Sequence, residues 1–206
     1  MGTYRNIIGR FSRRKILVVG DVILDQHISG TVSRISPEAP VPVVLQQGAS
    51  VFAPGGAANV AQNLHSLGAS VTVLGRIGRD PEGRILLEEL RKRRISARGV
   101  FVDDAMPTIL KTRVMAQHQQ VLRLDREKPD HPPGARLSGR IMNFLKKNIS
   151  HFDGIIISDY GKGMITQPLV ERLCFLALAR GKVITVDPKV EHFAYYRGVT
   201  GITPNK

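Results

Sequence analysis

Several acidic residues follow short apolar runs in this 206-residue sequence. Asp21, Asp159 and Asp187 each end such a run, and Asp25 follows Asp21 by four residues. An apolar run that ends in glycine or a carboxylate is typical of a buried parallel strand that meets a loop at its carboxyl end. Ligands of open α/β sheets bind at those ends. We therefore expect Asp21 and Asp25 to share one loop, and Asp25 to accept hydrogen bonds from ligand hydroxyl groups.

A second stretch suited to chemistry is the glycine turn that begins at Pro54. Gly55 and Gly56 allow backbone angles that are closed to other residues, and they let a bound molecule approach the main chain. Asn59 lies in the first turn of the helix that follows, where its amide suits sugar hydroxyls and the free N–H groups suit an anion. Taken alone, the same turn is more typical of a tight strand-to-helix connection with a surface amide.

Basic residues offer contacts for a phosphate. Lys162 lies between Gly161 and Gly163, so its side chain would reach a phosphate without steric obstruction. Lys111 and Arg113 alternate along a strand-like patch and would point either at solvent or at a phosphate beneath, and the sequence leaves these alternatives equal. The formal net charge is +13, but aromatic residues make up only 5% and are not interleaved with the basic ones. The charge therefore favours an anionic small molecule over nucleic acid.

Other classes of site are not indicated by the sequence. The six histidines are scattered without ligand-like spacing, and no Cys/His cluster exists, so we expect no metal ion held directly by the protein. The single cysteine, Cys174, lies in an apolar run and is interpreted as a buried structural thiol. That run is too short to cross a membrane. The basic N-terminal residues are not followed by the apolar segment of a signal peptide before Ile16. We therefore expect a cytoplasmic protein without membrane contact.

Strands and helices alternate along the chain and would position these residues. This alternation predicts an α/β fold with a doubly wound, mainly parallel sheet. Asp80 followed by Pro81 is typical of a helix start, with Asp80 as the N-cap residue. Patches within residues 28–50 and 106–125 predict a small β sheet that covers the ligand site. Strands are predicted at 15–20, 71–75, 154–159, 183–187 and 199–203, and helices at 57–67, 81–94, 136–148 and 167–180.

Taken together, these motifs resemble the ribokinase-like (phosphofructokinase B) carbohydrate kinases. The string Ser33–Val43 and the loop Asp159–Gly163 are similar in particular to the D-glycero-β-D-manno-heptose 7-phosphate kinase branch of that family. The resemblance implies a basic tail at 1–14 and a partial kinase domain at 15–206, whose β lid often serves as a homodimer contact. The other stretches that carry it are Gly20–Asp25, Pro54–Ala61, Gln119–Asp125 and Thr203–Asn205.

The resemblance also implies an activity. Mg-ATP would phosphorylate the anomeric hydroxyl of D-glycero-β-D-manno-heptose 7-phosphate to the 1,7-bisphosphate, in ADP-heptose and lipopolysaccharide core biosynthesis. Catalysis in such enzymes is mostly positioning and charge neutralisation. The implied sugar contacts are Asp25, Gly55, Gly56 and Asn59, the candidates for the 7-phosphate are Arg113, Arg123 and Lys162, and those for the magnesium nucleotide are Asp187 and Asn205.

The sequence departs from the family pattern in one respect. The Gly-Ala-Gly-Asp loop, which supplies the family's anion hole and catalytic aspartate, has no counterpart up to Lys206. We therefore expect the catalytic base and the C-terminal part of the fold to lie beyond Lys206, and this chain to be inactive alone, because loss of a general base costs roughly 10²- to 10⁴-fold. An alternative is a non-catalytic sugar-phosphate binding module. A dinucleotide-binding oxidoreductase is disfavoured, because Gly55–Asn59 is not a G-x-G-x-x-G motif.

Overall fold

The computed structural model describes residues 6, 8–117, 119–128 and 131–204. Its α-helices are α1 (Ala57–Ser66), α2 (Pro81–Lys92), α3 (Ala135–Asn148) and α4 (Gln167–Leu178), and 3₁₀ turns span Phe11–Arg13, Ile149–His151 and Val190–Tyr196. Its strands are β1 (Lys15–Gly20), β2 (Val22–Ile35), β3 (Pro42–Gln46), β4 (Val51–Gly56), β5 (Ser70–Ile77), β6 (Ser96–Val102), β7 (Ile109–Ala116), β8 (Gln119–Arg126), β9 (Gly154–Ser158), β10 (Val183–Asp187) and β11 (Gly201–Ile202).

The central sheet contains six parallel strands in the order β11-β10-β9-β1-β5-β6. From β1 the chain first builds outward through β5 and β6, and it then returns to add β9, β10 and β11 on the other side. The strand order therefore reverses between β1 and β9. A crevice forms at such a switch point, outside the carboxyl ends of the strands, and ligands of this class of sheet bind there.

Both faces of the central sheet are covered by helices. Val18 of β1 packs with α1 and α2 on one face, whereas Leu17 and Val19 pack with α3 and α4 on the other. All three side chains are fully buried. This burial on both faces explains why β1 reads as a continuous apolar run, and the prediction of a doubly wound parallel α/β sheet is confirmed.

A second sheet forms the lid. Its strands lie in the order β3-β2-β7-β8, with β4 paired to the first part of β2. The expectation that Asp25 shares a loop with Asp21 is wrong, because β2 begins at Val22 and Asp25 is its fourth residue. The intervening side chains, Ile23 among them, are at most 1% exposed, so the chain enters the lid as a buried strand directly after Asp21.

Other boundaries differ from the predicted ones in places. The last strand is limited to Gly201–Ile202, because the N–H of Val199 donates to Tyr196 and closes the preceding 3₁₀ turn. Strands β4 and β6 were not predicted. The capping prediction is confirmed, since Asp80 Oδ1 accepts a hydrogen bond from the N–H of Gly83 at 2.8 Å. Cys174 is buried, as expected. Of the helices described, none is both long and apolar enough to span a membrane.

Candidate functional site

Asp21 organises the switch point from the end of β1. Its side chain is 2% exposed, and its two oxygens accept hydrogen bonds from the N–H groups of Tyr160, Lys162 and Met164 at 3.0 to 3.1 Å. Burial raises the pKa of Asp21 and outweighs the lowering by these bonds. The backbone oxygen of Asp21 also accepts a bond from the N–H of Ala57, at the start of α1. Asp21 thus joins the glycine turn to the loop after β9 and has little surface left for a ligand.

Neighbouring protein atoms leave no room for a side chain at either glycine of the turn. Gly56 is the N-cap residue of α1 with φ 56°, and a Cβ there would lie 2.3 Å from the backbone oxygen of Asp21. A Cβ at Gly55 would lie 2.5 Å from Oδ2 of Asp25. The turn therefore places the carboxylate of Asp25 directly against the main chain that leads into α1.

Asp25 lies on a charged face of the lid. Its Oδ1 accepts a hydrogen bond from Nη1 of Arg113 at 2.5 Å, and both side chains are about three-quarters buried. Asp25 pairs in register with Lys111, and Arg113 pairs with Arg123. Because directly opposed residues share one side of a sheet, all four side chains lie on the same face. The sequence left open whether Lys111 and Arg113 point at solvent or at a phosphate. In the structure both side chains lie on the same face of the sheet as Asp25.

Each of the three cations predicted to grip a phosphate has a carboxylate partner. Arg113 pairs with Asp25, and Nε of Arg123 donates to Asp125 at 3.0 Å on the exposed strand β8. Nζ of Lys162 donates to Oε1 of Glu127 at 2.7 Å. The three cations therefore pair with three different carboxylates, and none of these ion pairs joins two of the cations.

The glycines beside Lys162 shape the backbone of its loop. Gly161 and Gly163 have φ angles of 66° and 87°. A Cβ at Gly163 would lie 2.5 Å from the backbone oxygen of His131. Positive φ and close packing therefore both favour glycine here, independently of the predicted reach of Lys162 to a phosphate.

Arg76, near the end of β5, contacts the loop that carries Lys162. Its side chain is 2% exposed and pairs with Asp103 at 2.8 Å. Nη2 of Arg76 also donates to the backbone oxygens of His131 and, at 3.3 Å, of Lys162. The buried guanidinium thus links the segment that leaves the lid to the loop that carries Lys162.

Asp159 supports the far side of that loop. Its fully buried carboxylate accepts hydrogen bonds from the N–H of Gly161 at 2.8 Å, the hydroxyl of Tyr196 at 2.7 Å and, if Nδ1 carries the proton, the ring of His192 at 2.7 Å. Burial and the bond to Asp159 raise the pKa of Tyr196. These contacts fasten the 3₁₀ turn Val190–Tyr196 against the loop.

The remaining predicted residues are Asp187, Asn59 and Asn205. Asp187 ends β10, and its carboxylate has no hydrogen-bond or ion-pair partner in the described part of the chain. Asn59 is exposed in the first turn of α1, and Asn205 lies outside the described residues. Burial, followed by the charges of Asp187, Asp25 and Asp21, raises the pKa of Tyr160.

Three of these contributors were not predicted from the sequence. Arg76 is an isolated charge inside an apolar run, a signal that would have marked it as a buried, paired residue. Tyr160 follows a strand-end carboxylate directly. Glu127 gives no local signal, because its partner Lys162 is 35 residues away in sequence. No group of three or more His, Cys, Asp or Glu residues arranged for a metal ion occurs among the residues that the structure describes.

Comparison with known proteins identifies related chains. A sequence profile of the pfkB family of carbohydrate kinases matches residues 13–167. The bifunctional protein HldE of Helicobacter pylori (strain P12) is 44% identical over 193 residues, which cover 94% of this chain and 41% of that protein. The chain thus spans about two fifths of the length of such curated relatives.

Solved structures share the fold. Arabidopsis thaliana ribokinase, complexed with ribose and ATP, superposes with a TM-score of 0.65 at 14% identity, covering 93% of this chain and 60% of the ribokinase. The tetrameric inhibited form of phosphofructokinase-2 from Escherichia coli gives a TM-score of 0.67 at 20% identity, covering 93% of this chain and 61% of that one.

Proposed function

Because this chain belongs to the pfkB family of carbohydrate kinases, we propose that it supplies the sugar-binding part of an ATP-dependent kinase for D-glycero-β-D-manno-heptose 7-phosphate. The product would be the 1,7-bisphosphate, a step in ADP-heptose and lipopolysaccharide core biosynthesis. The choice of this sugar rests on the motifs Ser33–Val43 and Asp159–Gly163, which resemble the heptose branch of the family. Residues 15–206 form part of the kinase domain in this proposal.

One observation carries the proposal. The carboxylate of Asp25 lies against Gly55 beside the start of α1, and Arg113 holds it there. One oxygen is engaged by Arg113, and the other faces the glycine turn and remains available to accept a bond from a sugar hydroxyl. Gly56 and Asn59 complete the same turn, so a sugar would contact main chain and side chains together.

A phosphorylated sugar suits the charges around this turn. Arg113, Arg123 and Lys162 are the candidates for the 7-phosphate, and a charge-assisted bond from each would be worth roughly 1.5–3 kcal/mol. All three have carboxylate partners. A phosphate would therefore share or displace those partners, which makes binding sensitive to the exact position of each pair.

We assign no general base within this chain. Asp21 is occupied by three backbone donors, Asp159 is fully buried, and Asp25 is paired with Arg113. The acceptor hydroxyl would then lose its proton to a group outside these residues. This chain's part in transfer would be to bind and orient the sugar.

The family implies Mg-ATP as the phosphoryl donor. Magnesium in kinases is commonly bound through one or two carboxylates together with phosphate oxygens, rather than by a cage of protein ligands. Asp187 fits this use, because its carboxylate lies at the carboxyl end of β10 and has no partner among the described residues. We assign Asp187 and Asn205 to the magnesium nucleotide, which would supply the transferred phosphoryl group and neutralise its charge.

We also propose that two chains associate through the lid, in the cytoplasm where ATP is available. On the lid, Leu122 and Leu124 are 55% and 62% exposed and lie on the face opposite to Arg123, as expected of an apolar contact surface.

Phosphorus NMR of the purified protein with Mg-ATP and heptose 7-phosphate tests the proposed activity. Because no general base is assigned within this chain, we expect calorimetry to show binding of the sugar phosphate, weakened in Asp25→Asn, with little or no new anomeric phosphate signal. Transfer at ordinary kinase rates of about 1–100 per second would contradict the absence of a base from this chain. Absence of binding would contradict the proposal as a whole.

A further inference from the structure

Glu127 makes an ion pair that the proposed reaction does not yet explain. It follows the last residue of β8, where the chain leaves the lid. Its Oε1 accepts a hydrogen bond from Nζ of Lys162 at 2.7 Å, and the two side chains are only 18% and 23% exposed. Oε2 of Glu127 is buried and has no partner in the described part of the chain. Among the described residues, the hydrogen bond to this carboxylate comes from the ammonium group of Lys162.

The residues on either side of Glu127 are fastened to other elements. Nη2 of Arg126 lies 2.6 Å from Glu82 at the start of α2. Nζ of Lys128 donates to the backbone oxygen of Ala105 at 3.0 Å. The exit from the lid is therefore held by three successive anchors, and Glu127 is the one that reaches the loop of the candidate site.

The backbone of Lys162 does not depend on Glu127. Its N–H donates to Asp21 at 3.1 Å, and its carbonyl accepts from Arg76 at 3.3 Å. Loss of the Glu127 carboxylate would therefore free the ammonium group of Lys162 while the loop stayed in place. A variant of Glu127 can therefore report on the ion pair without a change in the backbone position of Lys162.

We propose that Glu127 holds Lys162 in an ion pair until the phosphate of the sugar displaces it. This inference rests on the proposed function, in which Lys162 contacts that phosphate. A neutral sugar carries no group that competes with a carboxylate for an ammonium ion, so Lys162 stays paired with Glu127. A phosphate competes effectively, and its arrival releases Glu127 from Lys162, while Arg126 and Lys128 still anchor the exit from the lid. The pair thus opposes binding of a phosphate that reaches Lys162.

The test compares Glu127→Gln with wild-type protein by calorimetric titration of heptose 7-phosphate and of unphosphorylated heptose. Glu127→Gln is expected to bind the phosphorylated sugar about 3- to 10-fold more tightly, the gain expected when a partly screened ion pair no longer competes. The affinity for unphosphorylated heptose should not change. The same substitution in a Lys162→Met background should give no gain, because the contested ammonium group is then absent.

Glu88→Gln is the matched control. Glu88 is exposed on α2 and forms no side-chain bond within the described residues, so this variant removes the same formal charge away from the site. An equal gain in Glu88→Gln, or a gain that persists with Lys162→Met, would reduce the effect to general electrostatics and overturn the inference. Weaker binding of both sugars by Glu127→Gln would assign Glu127 a purely structural role and also overturn it. If wild-type protein binds both sugars equally, the proposed function fails first, and that result is distinct from the others.

Discussion

Substituting Gly55 by alanine tests the candidate site most economically. The added Cβ would lie 2.5 Å from Oδ2 and 3.0 Å from Cγ of Asp25, and 3.3 Å from Cβ of Ile23. The closest atom is the end of a short side chain, so Asp25 would rotate away while the backbone stays in place. That rotation would break the 2.5 Å bond to Arg113 and remove the hydroxyl acceptor from the turn.

The expected magnitudes follow from these contacts. Overpacking typically costs about 1–3 kcal/mol, and the lower end is expected here because a terminal atom yields. Loss of one charge-assisted contact to the sugar, roughly 1.5–3 kcal/mol, corresponds to about 10- to 150-fold weaker binding. Gly55→Ala should therefore stay folded and bind heptose 7-phosphate at least about tenfold more weakly by calorimetry.

Two further glycines provide the controls. Gly139 lies in α3 with nothing within 4 Å of an added Cβ, so Gly139→Ala should stabilise the helix by about 0.5–1 kcal/mol and leave binding unchanged. Gly56→Ala combines a φ of 56° with a 2.3 Å contact to backbone and should unfold at a lower temperature than Gly55→Ala. In an Asp25→Ala background, Gly55→Ala should weaken binding no further. Wild-type affinity in Gly55→Ala would refute the assignment of Asp25 to the sugar.

Three other predictions concern stability. Burial opposes ionisation of Asp80, but hydrogen bonds from Thr108 and Gly83 outweigh it and lower the pKa of this carboxyl group. Asp80→Ala should therefore lower the free energy of unfolding in urea by about 2 kcal/mol at pH 7. The difference between variant and wild type should narrow as the pH falls below 3.8. Arg76→Met leaves Asp103 buried and unpaired and should cost about 3–5 kcal/mol, of which Arg76→Met/Asp103→Leu should recover part in the same assay. Because the pKa of Tyr196 is raised by burial and by its bond to Asp159, wild type should lose stability above pH 10.0, and Tyr196→Phe should lack this loss in a pH series of thermal unfolding.

Local signals predicted much of the fold. The apolar run of β1 and the cap formed by Asp80 and Pro81 each depend on neighbours in sequence, and both are confirmed. Strand β6 was not predicted, because Arg98 and Gly99 interrupt its alternation. Asp25 was predicted in a loop but lies in β2, because the sequence does not show that this strand begins directly after Asp21.

The candidate site was predictable in its residue types but not in its pairings. Asp21 and Asp25 look alike as carboxylates after an apolar run, yet one is occupied by three backbone donors and the other pairs with Arg113. The partners of Lys162 and Arg76 lie on other elements and follow from tertiary packing alone. The sequence therefore predicts candidate residue types, whereas the structure shows which of these side chains have partners within the described residues.

Calorimetric titration of the purified protein with heptose 7-phosphate and with unphosphorylated heptose tests the central claim, which is that the crevice at the end of β1 and β9 binds a phosphorylated sugar. The account predicts one site per chain, with the phosphorylated sugar bound at least about tenfold more tightly, because at least one charge-assisted contact reaches its phosphate. Equal affinity for both sugars, or no binding of either, would contradict it.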